Sequence, residues 1–280
     1  MAAIKLTEYT ITEAVRSRIA DTPNPRLKQV MQSLIDHLHE FAREVQLTTE
    51  EWNAGIEFLT AAGHITDDKR QEFILLSDTL GLSALVDLMD HQGESDRTTE
   101  PSLLGPFYRN GAPELALGSD ISNGTAGEPL MVRGCALASD GGAIPGAVID
   151  VWQAAPSGLY DVQDPGQPEI NLRARFRADA QGRFDFRTIK PASYPVPHDG
   201  PVGKMLSSLG RHPFRPAHIH FILSAPGFET LTTALYIAGD KYLDSDAVFG
   251  SRPSLVVDYR HASDNDRADA IEFDFVLAKS

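Results

Sequence analysis

Cysteine is nearly absent from this chain of 280 residues, Cys135 being the single one. One thiol excludes an intramolecular disulfide and any zinc or iron–sulfur site built from several cysteines. Positive charge is also in deficit: 25 Lys and Arg stand against 39 Asp and Glu, a formal net charge of −14. That balance argues against nucleic acid or an anionic membrane surface as partner, since both select basic patches. No apolar run approaches the roughly 18 residues that a membrane span requires. The opening MAAIKLTEYTITEAVRSRIAD lacks the apolar h-region of a signal peptide. A soluble cytoplasmic protein is expected.

Proline is almost missing from about the first ninety residues, and helical periodicity fills them. Leu27, Val30, Met31, Leu34, Ile35 and Leu38 recur at spacings of three and four, as a buried helix face does. Thr48 and Glu51 in TTEEW form a capping-box pattern for a helix carrying Trp52, Ile56 and Leu59, with Gly63 as its expected C-cap. FILLSDTLGLSALVDLM reads as further helix, broken or bent at Gly81. After the polar stretch HQGESDRTTEPS the composition changes. PLMVRGCAL, AVIDVWQA, GRFDFRTI, HIHFILSA, TTALYIA, SLVVDY and IEFDFVLA are candidate strands, separated by Gly, Pro, Asp and Ser turns. The expected fold is mainly β with an α-helical N-terminal domain, residues 1–100, followed by an antiparallel β-sandwich domain, residues 101–280.

The chemistry concentrates in RPAHIHFILSAPG. His218 and His220 alternate along a predicted strand, so both imidazoles share one face. Such a pair serves equally as a hydrogen-bonded core face or as half of a metal site, neutral imidazole being the commonest metal ligand. No HExxH is present, the position four past His220 is Ser224, and the only later histidine is His261. A ferrous site of two histidines and a carboxylate stays open, with Asp150 and Asp161 as conceivable donors. Two tyrosines offer another completion. Tyr160 follows a strand and a Pro-Ser-Gly turn, and Tyr194 lies in the proline-rich IKPASYPVPHDGP. A phenol titrates near pH 10, so a phenolate at neutral pH needs a strong positive charge beside it, which a ferric ion supplies.

The order Tyr160, Tyr194, Arg215, His218, His220, set in DVWQA, GLYD, SYPVP and RPAHIH, resembles the intradiol ring-cleavage dioxygenases over essentially the whole chain. The resemblance implies non-haem Fe(III) held by Tyr160 and His218 as equatorial ligands and Tyr194 and His220 as axial ones. It further implies that the iron acts as Lewis acid and template for a vicinal diphenol and O2, that Tyr194 serves as a base, and that Arg215 stands near developing negative charge. The product would be a cis,cis-muconate derivative. One position departs from the pattern: Ala234 stands where many relatives carry glutamine.

LDSDAVFGSRPSLVVDY, SYPVPHDGPVGKML and TEPSLLGPFY resemble the hydroxyquinol and chlorocatechol 1,2-dioxygenases more than the plain catechol enzymes. Chain length and the helical N-terminus favour hydroxyquinol (benzene-1,2,4-triol), cleaved to maleylacetate. Pocket residues carried over by position are Leu75, Asp78, Leu103, Leu104, Gly105, Pro106, Val196, Pro197, Arg215 and Val248. Asp78 among apolar neighbours is placed to accept a hydrogen bond from a third ring hydroxyl. The same resemblance implies a homodimer through the N-terminal helices and a phospholipid held between them. A non-catalytic β-sandwich binding module with a helical arm is the reading from a different class.

Overall fold

The computed structural model describes residues 5–67, 70–90, 97–261 and 268–280. The chain folds as two compact units, Met1–Ala61 and Ala62–Ser280.

The N-terminal unit holds helices α1 (Ile11–Arg18) and α2 (Pro25–Glu44) and most of α3 (Thr49–His64). Asn24 caps α2 by accepting from the Leu27 amide at 3.0 Å, and Pro25 supplies a first residue with no amide to satisfy. Thr48 and Glu51 make the reciprocal cap expected of them: the Thr48 amide donates to Glu51 Oε2 at 2.9 Å and the Glu51 amide to Thr48 Oγ1 at 3.2 Å. Two expectations are corrected. Gly63 does not end α3 but lies inside it, where its bare Cα faces the Phe73 ring. The α2 stripe is apolar but uncovered, with Leu27, Val30, Met31, Leu34 and Leu38 between 37% and 55% exposed. Periodicity reports which face is apolar, not what covers it.

In the larger unit α4 (Glu72–Thr79) and α5 (Leu82–Asp90) are separated at Gly81, whose φ of +77° is a conformation glycine adopts without a Cβ clash. Then come β1 (Pro129–Ala138), β2 (Val148–Gln153), β3 (Arg173–Arg177), β4 (Arg183–Ile189) and β5 (Tyr194–Pro195). After α6 (Pro201–Ser208) follow β6 (Phe214–Arg215), β7 (His218–Ser224), β8 (Leu231–Ile237), β9 (Val256–Val257), β10 (Asp269–Glu272) and β11 (Phe275–Leu277). One sheet runs β3-β2-β7-β8-β9; the other runs β10-β1-β11, with β4 also on β1. Ile149, Val151, Ile219, Phe221 and Leu235 of the first meet Leu130, Val132, Phe184, Phe186 and Phe275 of the second in one core. This is the expected sandwich. Its long pairings are antiparallel, while the short edges β9, β10 and β11 pair parallel. SLVVDY shrinks to the two residues of β9, and IEFDFVLA divides into β10 and β11. β3 (RARFR) carries only two core-facing residues, Ala174 and Phe176, too few to stand out among the candidate strands. Among the described residues no helix is long and apolar enough to cross a membrane.

Alternation along β7 sets the site. Ile219, Phe221 and Leu223 enter the sandwich core, so His218 and His220 point to the opposite face. That outer face is buried too, both histidines being at most 2% exposed. The register adds Trp152 from β2 and Ala234 and Tyr236 from β8 to the same face.

Candidate active site

Tyr160 and Tyr194 reach this outer face from separate segments, a loop after β2 and the first residue of β5. Both are buried, and Tyr160 Oη donates to Tyr194 Oη at 3.3 Å. Phe107 stacks on Tyr160 with centroids 4.6 Å apart, and the β5–β6 ribbon pairs Tyr194 with Arg215. His218 and His220 turn their Nε2 atoms toward one another at 3.0 Å. His218 Nδ1 donates to the Pro216 carbonyl at 2.6 Å, which leaves the Nε2 lone pair facing inward. The four residues singled out in the sequence are therefore brought together, two oxygens and two nitrogens meeting in one dry spot.

Their electrostatics fit a cation. Burial drives the His218 imidazole down to about 3, and the adjacent Arg215 charge pushes the same way. Burial, with His218 and Arg215 nearby, lowers His220 as well. Two neutral imidazoles thus present lone pairs rather than protons. Burial raises both phenols, Tyr194 less its offset from Arg215 and Tyr160 further through Tyr194. Neither becomes a phenolate without a stronger positive charge between them. Two neutral imidazoles and two phenols that need a cation suit a hard, highly charged ion. Among the described residues no group of three His, Cys, Asp or Glu is placed to hold a metal ion. The carboxylates considered at the sequence level are engaged elsewhere: Asp150 with Arg175 at 2.9 Å, and Asp161 with Arg173. Arg173 also donates to the Phe107 carbonyl at 3.1 Å, so the Asp161 pair braces the wall behind Tyr160.

Arg215 is 3% exposed and grips Asp246 with Nε and Nη2, each at 3.1 Å. Its Nη1 lies 3.2 Å from His218 Nε2. Burial acts against the charge on Asp246, yet Arg215 holds that carboxyl below the usual range.

Of the pocket residues, Leu75, Pro106, Val196 and Pro197 line one cavity of about 370 Å3, with Phe107 and Leu159 beside them and Arg70, His198 and Asp199 at its rim. Gly105 passes the His220 ring: a Cβ there would lie 3.7 Å from its Cε1 and Nε2. Val248 is buried, its amide donating to Asp246 Oδ1 at 3.2 Å. Leu103 and Leu104 line a separate hollow with Ser77, Leu82 and Ser83, and Leu104 is exposed. Asp78 is buried, which raises its carboxyl above the ordinary value; a Ser83 hydrogen bond and the Arg215 charge offset this in part. Sequence reasoning missed Asp246, Tyr236, Ser102 and Gly250, which surround Arg215. They come from three distant segments, and nothing in their local spacing marks them. Trp152 lay inside the quoted DVWQA stretch but carried no stated role.

Comparison with known proteins gives a consistent result. The family profile described as Dioxygenase matches residues 103–279, and that described as Catechol dioxygenase N terminus matches residues 24–98. The chain is 53% identical to 6-chlorohydroxyquinol 1,2-dioxygenase of Cupriavidus pinatubonensis, covering 96% of this chain and 97% of that protein. It is 46% identical to hydroxyquinol 1,2-dioxygenase of a Rhizobium species, covering 97% and 96%. Its fold matches the crystal structure of hydroxyquinol 1,2-dioxygenase from Pseudomonas putida with a TM-score of 0.92 at 46% identity, covering 98% and 99%. Catechol 1,2-dioxygenase from Acinetobacter radioresistens follows at 0.87 and 30%, covering 99% and 94%.

Proposed function

Because this chain belongs to the intradiol ring-cleavage dioxygenases, we propose that Tyr160, Tyr194, His218 and His220 hold non-haem Fe(III) and that the substrate is hydroxyquinol, opened to maleylacetate. The observation that carries this reading is the convergence of two buried phenols, 3.3 Å apart, and two buried imidazoles, 3.0 Å apart. Bound there, ferric iron supplies Lewis acidity toward a vicinal diphenol and lowers the barrier to its reaction with O2.

The remaining roles fall to the chain. Tyr194 Oη receives a proton from a substrate hydroxyl, its loop between prolines limiting where the phenol can go. Leu75, Pro106, Val196 and Pro197 hold the ring and exclude water. Arg215 Nη1, aimed at the site, faces the negative charge that develops as the ring opens. Asp78 accepts a hydrogen bond from the third hydroxyl, which catechol lacks. Residues 101–280 then form the catalytic domain and 1–100 a helical segment for dimerisation, whose α4 also lends Leu75 and Asp78 to the substrate pocket. The uncovered α2 stripe supports a homodimer in which a second copy or a phospholipid covers it. A cytoplasmic location accords with the reaction.

The test is oxygen uptake by the iron-loaded protein with hydroxyquinol, 6-chlorohydroxyquinol, catechol and 4-chlorocatechol. A kcat/KM favouring the two hydroxyquinols supports the assignment. Preference for catechol or 4-chlorocatechol keeps the iron chemistry and overturns the substrate. Absence of uptake with all four overturns the oxygenase reading and restores the binding module.

A further inference from the structure

Arg215 sits in a cradle that does more than neutralise it. Asp246 takes one edge of the guanidinium as a fork, Oδ1 to Nε and Oδ2 to Nη2, both at 3.1 Å. Nη2 also donates to Tyr236 Oη at 3.1 Å. Tyr236 Oη is fixed in turn by Ser102 Oγ at 2.9 Å, and Ser102 Oγ donates to the Gly250 carbonyl at 2.8 Å. The Gly250 amide returns to Asp246 Oδ2 at 3.0 Å. Every member of this ring is buried or bounded by buried groups. With the Nε and Nη2 edge saturated, Nη1 is the corner left to face the site, 3.2 Å from His218 Nε2.

Glycine at 250 is a condition of the arrangement. A Cβ there would lie 2.6 Å from Arg215 Nη2, 2.9 Å from Tyr236 Oη and 3.2 Å from Asp246 Oδ2. A carboxylate alone would cancel the charge of a buried arginine. An uncharged phenol, a serine that orients it and a missing Cβ add nothing to that cancellation. They add direction, because a planar fork held on one edge has a single orientation.

We infer that Asp246, Tyr236 and Ser102 are positioning residues that aim Arg215 Nη1 at the reacting diphenol, and that Gly250 keeps the space this requires. The inference rests on the proposed function above. Tyr236 and Ser102 act through Arg215 and touch neither substrate nor metal. The expected signature is therefore a loss in kcat with substrate binding and the metal centre preserved.

The experiment compares the full-length iron-loaded parent with Tyr236→Phe and Gly250→Ala. Four quantities are read: kcat per bound iron for hydroxyquinol, the visible spectrum, the thermal midpoint, and anaerobic binding of 4-nitrocatechol, whose colour reports its ionisation. Misdirection of a positioned group costs on the order of 10- to 100-fold in rate. That loss is expected in kcat for both variants, with iron content and the visible band retained and nitrocatechol affinity within about threefold of the parent. Tyr236→Phe removes one oxygen atom and keeps the result decisive if Gly250→Ala folds poorly. A kcat per iron within about twofold of the parent in Tyr236→Phe overturns the inference. So does a fall in kcat that merely tracks lost iron or a lost visible band. A parent with no diphenol-dependent oxygen uptake overturns the proposed function itself, a result separable from either of these.

Discussion

Trp152 lies flat on His220, their ring centroids 4.7 Å apart and their planes within 4° of parallel. The two are register partners across β2 and β7. Beside the 3.0 Å contact between the two Nε2 atoms, the stacked indole helps to hold the His220 imidazole plane. Replacing Trp152 by Leu should loosen that plane and weaken iron binding by about tenfold, as loss of a group that orients a metal ligand does. Chelator competition measures it. An unchanged iron affinity would show that the strand backbone alone orients His220.

Tyr194→Phe removes one proposed ligand oxygen and the proposed proton acceptor while keeping the ring packing. Its activity should fall by about 10²- to 10⁴-fold, the range of general acid–base contributions. The thermal midpoint should stay near that of the parent, because the ring keeps its packing against Phe107 and His218 and the hydroxyl's contact to Tyr160 is a long one, 3.3 Å. Oxygen uptake and calorimetry on the same preparation separate the two effects.

Asp78 carries a pH prediction. Its carboxyl is raised above 3.8 by burial, offset in part by Ser83 and Arg215. The folded protein therefore holds this proton more tightly than the unfolded chain. The resulting stability is fully present below pH 3.8 and is lost as pH rises through the folded-state value. Asp78→Asn should accordingly melt above the parent at pH 7, with the gap closing as the pH approaches 4. Asp78→Ala, which removes the acceptor oxygen that Asn keeps, should lose preference for hydroxyquinol over catechol by about 1–3 kcal/mol. Melting curves at several pH values check the first claim, and kcat/KM ratios the second.

Glu72 is wholly buried at the rim of the cavity. It accepts from the Val202 amide in the first turn of α6 at 3.0 Å and from Arg70 Nε at 3.1 Å, while Arg70 clasps Asp199 at 2.9 and 3.0 Å. This clasp ties α4, which carries Leu75 and Asp78, to the loop carrying Val196 and Pro197. Glu72→Ala should destabilise the protein by about 1.5–3 kcal/mol, the range for a hydrogen-bonded charge. A shift in urea midpoint at constant slope would record it.

The proposed ligands were legible through the family resemblance, whose pieces are short local motifs. His218 and His220 alternate on a strand, Tyr160 follows a Pro-Ser-Gly turn, and Tyr194 is set among prolines. Helix punctuation was legible at the Thr48–Glu51 box and at Gly81, since caps and turns depend on neighbours within a few residues. What depends on distant chain was not legible. The cradle of Arg215 draws on Ser102, Tyr236 and the turn from Asp246 to Gly250, which meet only once the sheet has formed. β3 hid because it is short: only Ala174 and Phe176 mark its core face, between three arginines paired with Asp161, Asp150 and Glu114. Ala234 sits beside His220 in the β7–β8 register, so the departure from glutamine falls at the site itself.

Two phenolates and two imidazoles around ferric iron should give the protein a visible colour. The most direct measurement is the visible absorption spectrum of the purified, iron-loaded protein, taken beside Tyr160→Phe and Tyr194→Phe. The expected result is a red to burgundy protein whose broad band scales with bound iron and weakens or shifts in each variant. A colourless protein whose bound metal is zinc, or a band indifferent to both tyrosines, contradicts it.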